Sequence, residues 1–401
     1  MKKIRSIFNS GLKVFRPILY LLYLFSFLSK RDVSIWSFGG DYNSFSNGKY
    51  LAKYIRKQNK GIRIVWLVRR NIDINKIRKD GFEAYYQWSL NGIKLSLKAK
   101  YQFLNSYVFD INYWLSGGSI ITNLWHGVPL KKLNYDIKSG PSAKLFNPKY
   151  LPRWFMSLFI LRLKSSHYFL ATSEMTKEMF SRSFKVEKEK CIICGYPRND
   201  SFFTSENDAL PQYIQSKYNS DEKLIIYMPT WRDSGNDFLT DSKIDFSELN
   251  KICVKEKYKY FIKLHPLTSI DTSIFEKFSH IHLLPNNLDV YPFLNEVHCL
   301  ITDYSSIYID FLLTNKPIIF YPFDLEKYST QDRDLYFDYS SVTPGPKATN
   351  SQQLMKEISR LGRTEAEYLE KYNHEEVKEM FWKFHDGKSS ERIYNFFSNM
   401  D

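Results

Sequence analysis

The sequence predicts an α/β protein with two doubly wound domains, and three observations support this. Short apolar runs of strand character alternate with helical segments, as at Val33 to Phe38, which precedes a helix through Lys57 and a strand at Ile62 to Val68. The same alternation returns in the second half of the chain. With 401 residues, 43% of them apolar and 17% aromatic, the chain can build two hydrophobic cores.

The domain boundaries are predicted from the places where strand signals stop. A polar stretch at residues 204 to 222 lacks such signals and is the expected linker. We predict an N-terminal segment over residues 1–30, a first domain over 31–205, a second domain over 206–380 and a helical tail over 381–401. The loop after the first strand, GGDYNSFSNG, lacks the GxGxxG pattern, so dinucleotide binding is not supported.

One strand, loop, helix and strand unit in the second half holds a pair of serines. His298 to Thr302 is a predicted strand, Ile307 to Leu313 a helix and Ile318 to Tyr321 a second strand, with Ser305 and Ser306 in the loop between. Ligands of parallel α/β sheets bind at the carboxyl ends of strands, and hydroxyls at a helix N-terminus can hold a phosphate. The alternative is that both serines only cap the helix.

A histidine stands at the corresponding place in the first half. The apolar strand Ser119 to Leu124 leads into the sequence WHGVPLKK, which contains His126, Gly127, Lys131 and Lys132. Histidine is the usual general base near neutral pH. Glycine leaves room for a substrate, and the two lysines supply positive charge beside a phosphorylated acceptor. A purely structural histidine is the competing interpretation.

Further polar residues of the second half also follow predicted strands. They lie at Arg232, at His265 with Pro266, at Asn286 to Asp289, and at Asp303 to Ser306. Because the carboxyl ends of parallel strands share one edge of a sheet, we expect these loops to lie near one another. Helix capping explains such a convergence less well than a binding site does.

The charge and the N-terminal segment indicate an anionic partner. The formal net charge is +14, and residues 1 to 16 are basic and amphipathic, followed by an apolar run at Pro17 to Ser29. That run is too short to span a bilayer, which needs roughly 20 residues. We expect a helix in the interface of an anionic membrane, with residues 143 to 166 as a second candidate, or helices packed on the protein's own core. The four cysteines are predicted to be core residues.

Five motifs in order resemble one known family. WHGVPLKKL, GYPRND, YMPTWR, KLHP and TDYSSIYIDFLLTNKPIIFYPFDLEKY are similar to the motifs of the CDP-glycerol glycerophosphotransferases, the teichoic acid primases and polymerases. The resemblance covers roughly residues 30 to 380. It implies a GT-B-like fold of two Rossmann-like domains with a central cleft, and a peripheral enzyme at the cytoplasmic face of the bacterial cell membrane.

The same resemblance implies a reaction and roles for the site residues. Such enzymes move glycerol phosphate, or a related polyol phosphate, from a CDP-linked donor to a hydroxyl of a lipid-linked or glycan acceptor and release CMP, in teichoic acid, capsule or other surface glycopolymer synthesis. His126 is then the general base, and Gly127, Lys131 and Lys132 lie on the acceptor side. The expected donor-binding residues are Arg232, His265, Pro266, Asp303, Ser305 and Ser306, with His265 also counted as catalytic.

Three other readings carry less weight. A DxD sequence, Asp332-Arg333-Asp334, is typical of metal-dependent glycosyltransferases, but it does not follow a clear strand, and we predict no metal and no cofactor. A GT-B glycosyltransferase that uses a nucleotide sugar is the alternative enzyme. RNA binding would suit the net charge, but no nucleic-acid motif is present, so we predict no nucleic-acid partner.

Overall fold

A computed structural model of the chain describes residues 16–40, 42, 46–58, 61–70, 72–138, 140–146, 152–204, 210–230, 241–265, 268, 271–325, 335–361 and 365–400. The described residues fall into two compact units. The first lies within Met1–His126, Leu133–Asp200 and Lys388–Asp401, and the second within Gly127–Lys132 and Ser201–Gly387. The assignment of Gly127–Lys132 to the second unit was not predicted, because so short a segment leaves no signal in composition. The predicted ranges 31–205, 206–380 and 381–401 stay predictions.

The first unit contains a sheet of seven parallel strands in the order β3-β2-β1-β4-β5-β6-β7. Its strands are β1 (Asp32–Phe38), β2 (Arg63–Val68), β3 (Glu83–Tyr86), β4 (Ala99–Leu104), β5 (Ile120–Asn123), β6 (Tyr168–Ala171) and β7 (Cys191–Ile193). The strands are mostly buried, as expected for a parallel sheet covered by helices. The α/β prediction is therefore confirmed in this half.

Most helices of the first unit connect these strands, whereas the first helix precedes β1 and the last lies near the end of the chain. They are α1 (Arg16–Ser26), α2 (Asn47–Gln58), α3 (Ile72–Lys79), α4 (Leu90–Lys98), α5 (Gly140–Phe146), α6 (Arg153–Phe159), α7 (Glu174–Phe184) and, near the end of the chain, α15 (Ser389–Ser398). Ser173 begins α7 with a capping box, in which its hydroxyl accepts from the Thr176 N–H. In α15, the ring centroid of Phe397 lies 5.3 Å from that of Phe103 on β4.

The sequence did not reveal β3 and β4, although β4 lies near the centre of the sheet. Two polar residues, Lys100 and Gln102, interrupt its apolar pattern. Gln102 is nevertheless fully buried, because its side-chain amide donates to the Ser96 carbonyl at 3.3 Å and the Ser119 hydroxyl at 3.1 Å. These two hydrogen bonds replace those that the amide nitrogen made to water, while Oε1 has no partner among the described residues. The partners of the nitrogen are known only from the fold.

The second unit contains five parallel strands in the order β10-β9-β8-β11-β12. They are β8 (Lys223–Met228), β9 (Tyr258–Ile262), β10 (Ile281–Leu283), β11 (Val297–Thr302) and β12 (Ile318–Phe320). Its helices are α8 (Gln212–Gln215), α9 (Phe246–Glu256), α10 (Ile307–Phe311), α11 (Tyr339–Val342), α12 (Ser351–Arg360), α13 (Glu365–Lys371) and α14 (His374–Phe381). Alternate residues of β9, Tyr258, Tyr260 and Ile262, enter a core cluster that also includes α9 and α12 residues.

The first unit is completed by the last helix of the chain. The Asp200 carboxylate accepts hydrogen bonds from the backbone N–H groups of Ser389 at 2.9 Å and Ser390 at 2.8 Å, where α15 begins. Burial raises the pKa of Asp200 to about 6, while these hydrogen bonds lower it. The four cysteines are buried and free, as predicted. In the described part of the chain, no helix is both long enough and apolar enough to cross a bilayer.

Candidate active-site residues

The turn that carries His126 has an unusual backbone. Trp125, which precedes the histidine, has a φ of 51°, a conformation that costs energy for a bulky residue. Asn47, at the start of α2, supports this turn because its side-chain amide donates to the carbonyls of Leu124 at 3.1 Å and Trp125 at 2.9 Å. The Arg198 guanidinium donates to the His126 carbonyl at 2.9 Å. The backbone on both sides of the histidine is therefore held in place.

The imidazole of His126 is in the form that a general base requires. Its Nδ1 lies 2.9 Å from the backbone carbonyl of Asn105. A carbonyl can only accept, so Nδ1 carries the proton in the neutral ring and Nε2 keeps a free lone pair. Desolvation by the surrounding protein lowers the pKa of His126 below 6.5, the Asn105 carbonyl raises it and the Arg198 charge lowers it. The side chain is still exposed to solvent, so a substrate can reach it.

The residues after His126 belong to the second unit. Gly127 has a φ of 140°, which favours glycine. The Tyr336 N–H donates to the Leu130 carbonyl at 2.8 Å, and Lys131 forms an antiparallel bridge with Leu335. Both predicted acceptor-side lysines, Lys131 and Lys132, are half-buried in this segment.

In the second unit, Asp303 fixes the loop after β11. Its carboxylate is fully buried and accepts from the Thr230 N–H, after β8, at 2.8 Å. The Tyr339 hydroxyl donates to the Asp303 carbonyl oxygen at 2.8 Å. These contacts tie the loops after two neighbouring strands to each other. We therefore expect Asp303 to affect donor binding by holding the loop in place. Its buried carboxylate already accepts a hydrogen bond from the Thr230 N–H.

Ser305 and Ser306 are half-exposed at the start of α10. Ser306 is the N-cap residue, but its hydroxyl makes no capping hydrogen bond. The Ser305 hydroxyl accepts from the Ile307 N–H only at 3.5 Å. Capping thus explains neither hydroxyl well. Behind them, the Tyr291 hydroxyl donates to the buried Asp310 carboxylate at 2.6 Å and fixes α10 from inside the unit.

His265 follows β9 at the same edge of the sheet and is exposed. Burial of part of the ring lowers the pKa of His265. Lys263, two residues earlier, is buried, and its ammonium donates to the carbonyls of Pro285 and Asn286, both at 2.7 Å. The lysine therefore holds the loop after β10 beside the one that carries His265. Burial lowers the pKa of Lys263 to about 8.

The family profile described as CDP-Glycerol:Poly(glycerophosphate) glycerophosphotransferase matches residues 18–399. The chain belongs to this family. The predicted family resemblance is thus confirmed, over almost the whole chain.

Named relatives of the glycerophosphotransferase family match along most of this sequence. The teichoic acid poly(glycerol phosphate) polymerase of Staphylococcus epidermidis is 30% identical over 89% of this chain, which spans about half (49%) of that protein. The teichoic acid glycerol-phosphate transferase of Staphylococcus aureus is 27% identical, with 91% of this chain and 92% of that protein covered.

A solved structure agrees with the fold. A variant of the wall teichoic acid polymerase TagF, soaked with CDPG, superposes with a TM-score of 0.78 at 24% identity, covering 99% of this chain and 96% of that one. At this identity the likeness supports the fold alone. The predicted α/β architecture of this family member is confirmed, and the comparisons do not support the nucleotide-sugar alternative.

Part of the predicted site lies outside the described residues. Arg232 and Pro266 fall there, as does the DxD sequence at residues 332–334. Within the described ranges, no group of three His, Cys, Asp or Glu side chains could hold a metal ion. The predicted roles of Arg232 and Pro266, and the predicted independence of metal, stay predictions.

Sequence reasoning missed three residues that position the site of this family member. Asn47 donates a hydrogen bond to the Leu124 carbonyl, at the end of the strand before His126. The two residues are 77 positions apart, so no local pattern could reveal the contact. Arg198 and Lys263 stand inside the motifs GYPRND and KLHP. Their presence in those motifs was the available signal, but their hydrogen-bond partners follow only from the fold.

Proposed function

We propose that this chain transfers glycerol phosphate, or a related polyol phosphate, from a CDP-linked donor to an acceptor hydroxyl and releases CMP. Membership of the glycerophosphotransferase family supports the reaction class. The observation that carries the proposal is the neutral, exposed imidazole of His126 with Nδ1 on the Asn105 carbonyl. We further propose a membrane- or lipid-linked acceptor.

The proposed chemistry is a single displacement at phosphorus. Nε2 of His126 takes the proton of the acceptor hydroxyl, whose oxygen attacks the phosphorus that bears the polyol. A new phosphodiester bond forms, the bond from that phosphorus to the bridging oxygen breaks, and CMP leaves with the electron pair. Phosphoryl transfer depends mainly on positioning and charge stabilisation. We assign the donor pyrophosphate to Ser305, Ser306, His265 and Arg232, and positive charge near the acceptor to Lys131 and Lys132.

The direct test is CMP release by the purified protein with EDTA present. The donors are CDP-glycerol, CDP-ribitol and a panel of nucleotide sugars, and the acceptor is lipid-linked or ends in glycerol phosphate. We expect CMP from one CDP-polyol. Release of UDP or GDP from a sugar donor would contradict the proposal. A requirement for added metal would contradict the prediction that the reaction needs no metal ion.

We also propose that the first unit binds an anionic membrane surface. One side of α1 packs on the unit, since the Tyr20 hydroxyl donates to the Ser157 carbonyl of α6 at 3.0 Å. The other side presents apolar side chains to solvent, with Leu24 62% exposed. Leu28, just after the helix, is 83% exposed, and Trp154 of α6 is 68% exposed. Contiguous exposed apolar residues of this size mark interaction surfaces. Lys30 is exposed directly after them, which suits anionic headgroups.

Replacing Leu24→Gln together with Phe25→Gln should weaken binding to anionic vesicles by about tenfold or more, because two apolar side chains no longer enter the interface. Vesicle sedimentation measures the effect. Leu90→Gln is the matched control, since Leu90 is 88% exposed elsewhere in the same unit. Binding that equals the wild type, or equal binding to neutral vesicles at all salt concentrations, would argue against this surface.

A further inference from the structure

The loop between β1 and α2 lies at the same edge of the first sheet as His126. β1 ends at Phe38, and α2 begins at Asn47. In the sheet, β4 lies between β1 and β5, and His126 follows β5. Asn105 is the first residue after β4. Because the carboxyl ends of parallel strands share one edge, Asn105 stands between that loop and the turn that carries the histidine.

The side chain of Asn105 holds both ends of this loop. Its Oδ1 accepts a hydrogen bond from the Gly48 N–H at 3.1 Å, and its Nδ2 donates to the Gly39 carbonyl at 3.3 Å. The residue is only 8% exposed, so water competes little for these two contacts. The amide therefore cross-links the end of β1 to the start of α2.

Two glycines allow the loop to approach so closely. A Cβ at Gly39 would lie 2.4 Å from the Asp110 carbonyl oxygen, which is too close for two such atoms. A Cβ at Gly48 would lie 3.3 Å from Oδ1 of Asn105. Both glycines belong to GGDYNSFSNG, the sequence that lacks the dinucleotide-binding pattern. They serve the packing of this loop against the residues after β4.

The backbone carbonyl of Asn105 is the group that faces Nδ1 of His126, at 2.9 Å. The next peptide group is fixed from the β5 side, since the Ser106 carbonyl accepts from the Asn123 side chain at 2.7 Å. The side-chain amide fixes Asn105 from the β1 side. The carbonyl that meets the imidazole is thus held from both directions.

The start of α2 joins the two sides of the histidine turn. The Gly48 N–H donates to the Asn105 side chain. The residue before it, Asn47, donates from its own side chain to the carbonyls of Leu124 and Trp125. One helix terminus therefore contacts both the residue that orients the imidazole and the backbone that carries it.

We propose that Asn105 is a positioning residue, whose side chain fixes the tautomer and the orientation of the His126 imidazole. An imidazole whose Nδ1 has no fixed partner exchanges its proton between the two nitrogens, and a ring protonated at Nε2 cannot accept a proton there. Asn105 acts through the histidine and need not contact a substrate. Its effect on turnover rests on the proposed function, whereas the tautomer can be observed without any substrate.

Nitrogen NMR of the protein with isotope-labelled histidines measures the tautomer of His126 at a pH above its pKa. The signals of His126 are those that His126→Ala removes. In the wild type we expect the proton on Nδ1 and a free lone pair on Nε2. In Asn105→Ala the carbonyl is no longer held, so the two nitrogens should share the proton and their chemical shifts should move toward each other.

CMP release gives a second readout. Asn105→Ala should lower kcat by about 10- to 100-fold, because a small misplacement of a catalytic group has an effect of this size. The Kd for the CDP-linked donor should stay close to that of the wild type, because the change acts on the base and not on the donor.

Asn112→Ala is the matched control. Asn112 is 1% exposed in the same unit, and its side-chain amide donates to the Gln87 carbonyl at 3.2 Å. This variant also removes a buried amide, so it reports what a loss of packing alone does. It should leave the His126 signals and the turnover unchanged.

Asn105→Asp covers the case in which Asn105→Ala does not fold. It keeps an acceptor for the Gly48 N–H but places an oxygen against the Gly39 carbonyl, so it should also loosen Asn105. Wild-type His126 signals in every variant at position 105 that folds, a proton on Nε2 in the wild type, or an equal change in Asn112→Ala would overturn the inference. The expected tautomer change in a protein that releases no CMP would support the inference and contradict the proposed function.

Discussion

His126→Ala should lower the turnover of the proposed transfer by about 100- to 10,000-fold, the range expected for loss of a general base. Binding of the CDP-linked donor should change little, because the ring acts on the acceptor hydroxyl. Initial rates of CMP release and calorimetric titration with the donor measure the two quantities. His385→Ala is the matched control, since His385 is a half-buried histidine that contacts the Trp382 carbonyl.

The pH profile of the wild type gives an independent readout. The base must be unprotonated, so kcat/KM should rise as pH increases through the pKa of His126 and then level off. Because surrounding protein lowers that pKa below 6.5, the level region should extend below pH 6.5. Unchanged turnover in His126→Ala, or a rate that falls as pH rises through this region, would remove His126 from the mechanism.

Ser305→Ala with Ser306→Ala should weaken donor binding by about 100-fold and reduce turnover as well. Hydrogen bonds to charged groups contribute about 1.5 to 3 kcal/mol each, and two of them do not add fully. The single variants should show smaller losses. The measurement is the Kd for the CDP-linked donor by calorimetry, followed by CMP release at saturating donor.

Ser359→Ala is the control for this pair, because the Ser359 hydroxyl only donates to the Met355 carbonyl within α12. Circular dichroism should show that the double variant keeps its fold, since Ser306 makes no capping hydrogen bond to lose. Wild-type donor affinity in the double variant would mean that the two hydroxyls do not hold the pyrophosphate. Their role would then be confined to the loop.

The sequence was sufficient for the fold class because buried parallel strands are continuous apolar runs that stand out from polar loops. It was insufficient where tertiary contacts override the local pattern. Gln102 in β4 is buried through hydrogen bonds to Ser96 and Ser119, so its polarity concealed a central strand. The sequence indicates that the final helices can pack back on the first domain, but not which residues α15 covers, because those aromatic residues lie hundreds of residues earlier.

For the candidate site, the sequence located exposed side chains at strand ends better than the buried residues that hold the neighbouring loops in place. His126, His265, Ser305 and Ser306 follow strands, and a strand end can be located from hydropathy. Asp303 was correctly placed in the loop, but its full burial could not be foreseen. Asn47 and Lys263 donate hydrogen bonds to backbone carbonyls that are distant in the sequence. Such partners cannot be identified from a single sequence.

The packing of α15 on the sheet of the first unit has a consequence for folding during synthesis. The sheet of the first unit is encoded before residue 200, but the helix that covers Trp36 and Phe103 begins at Ser389. At about 5 to 20 residues per second, a ribosome needs roughly 10 to 40 s to synthesise the intervening 200 or so residues. During that interval an aromatic surface stays uncovered, and the Asp200 carboxylate lacks its partners on α15. The packing of the first unit can therefore be completed only after the residues of the second unit have been synthesised.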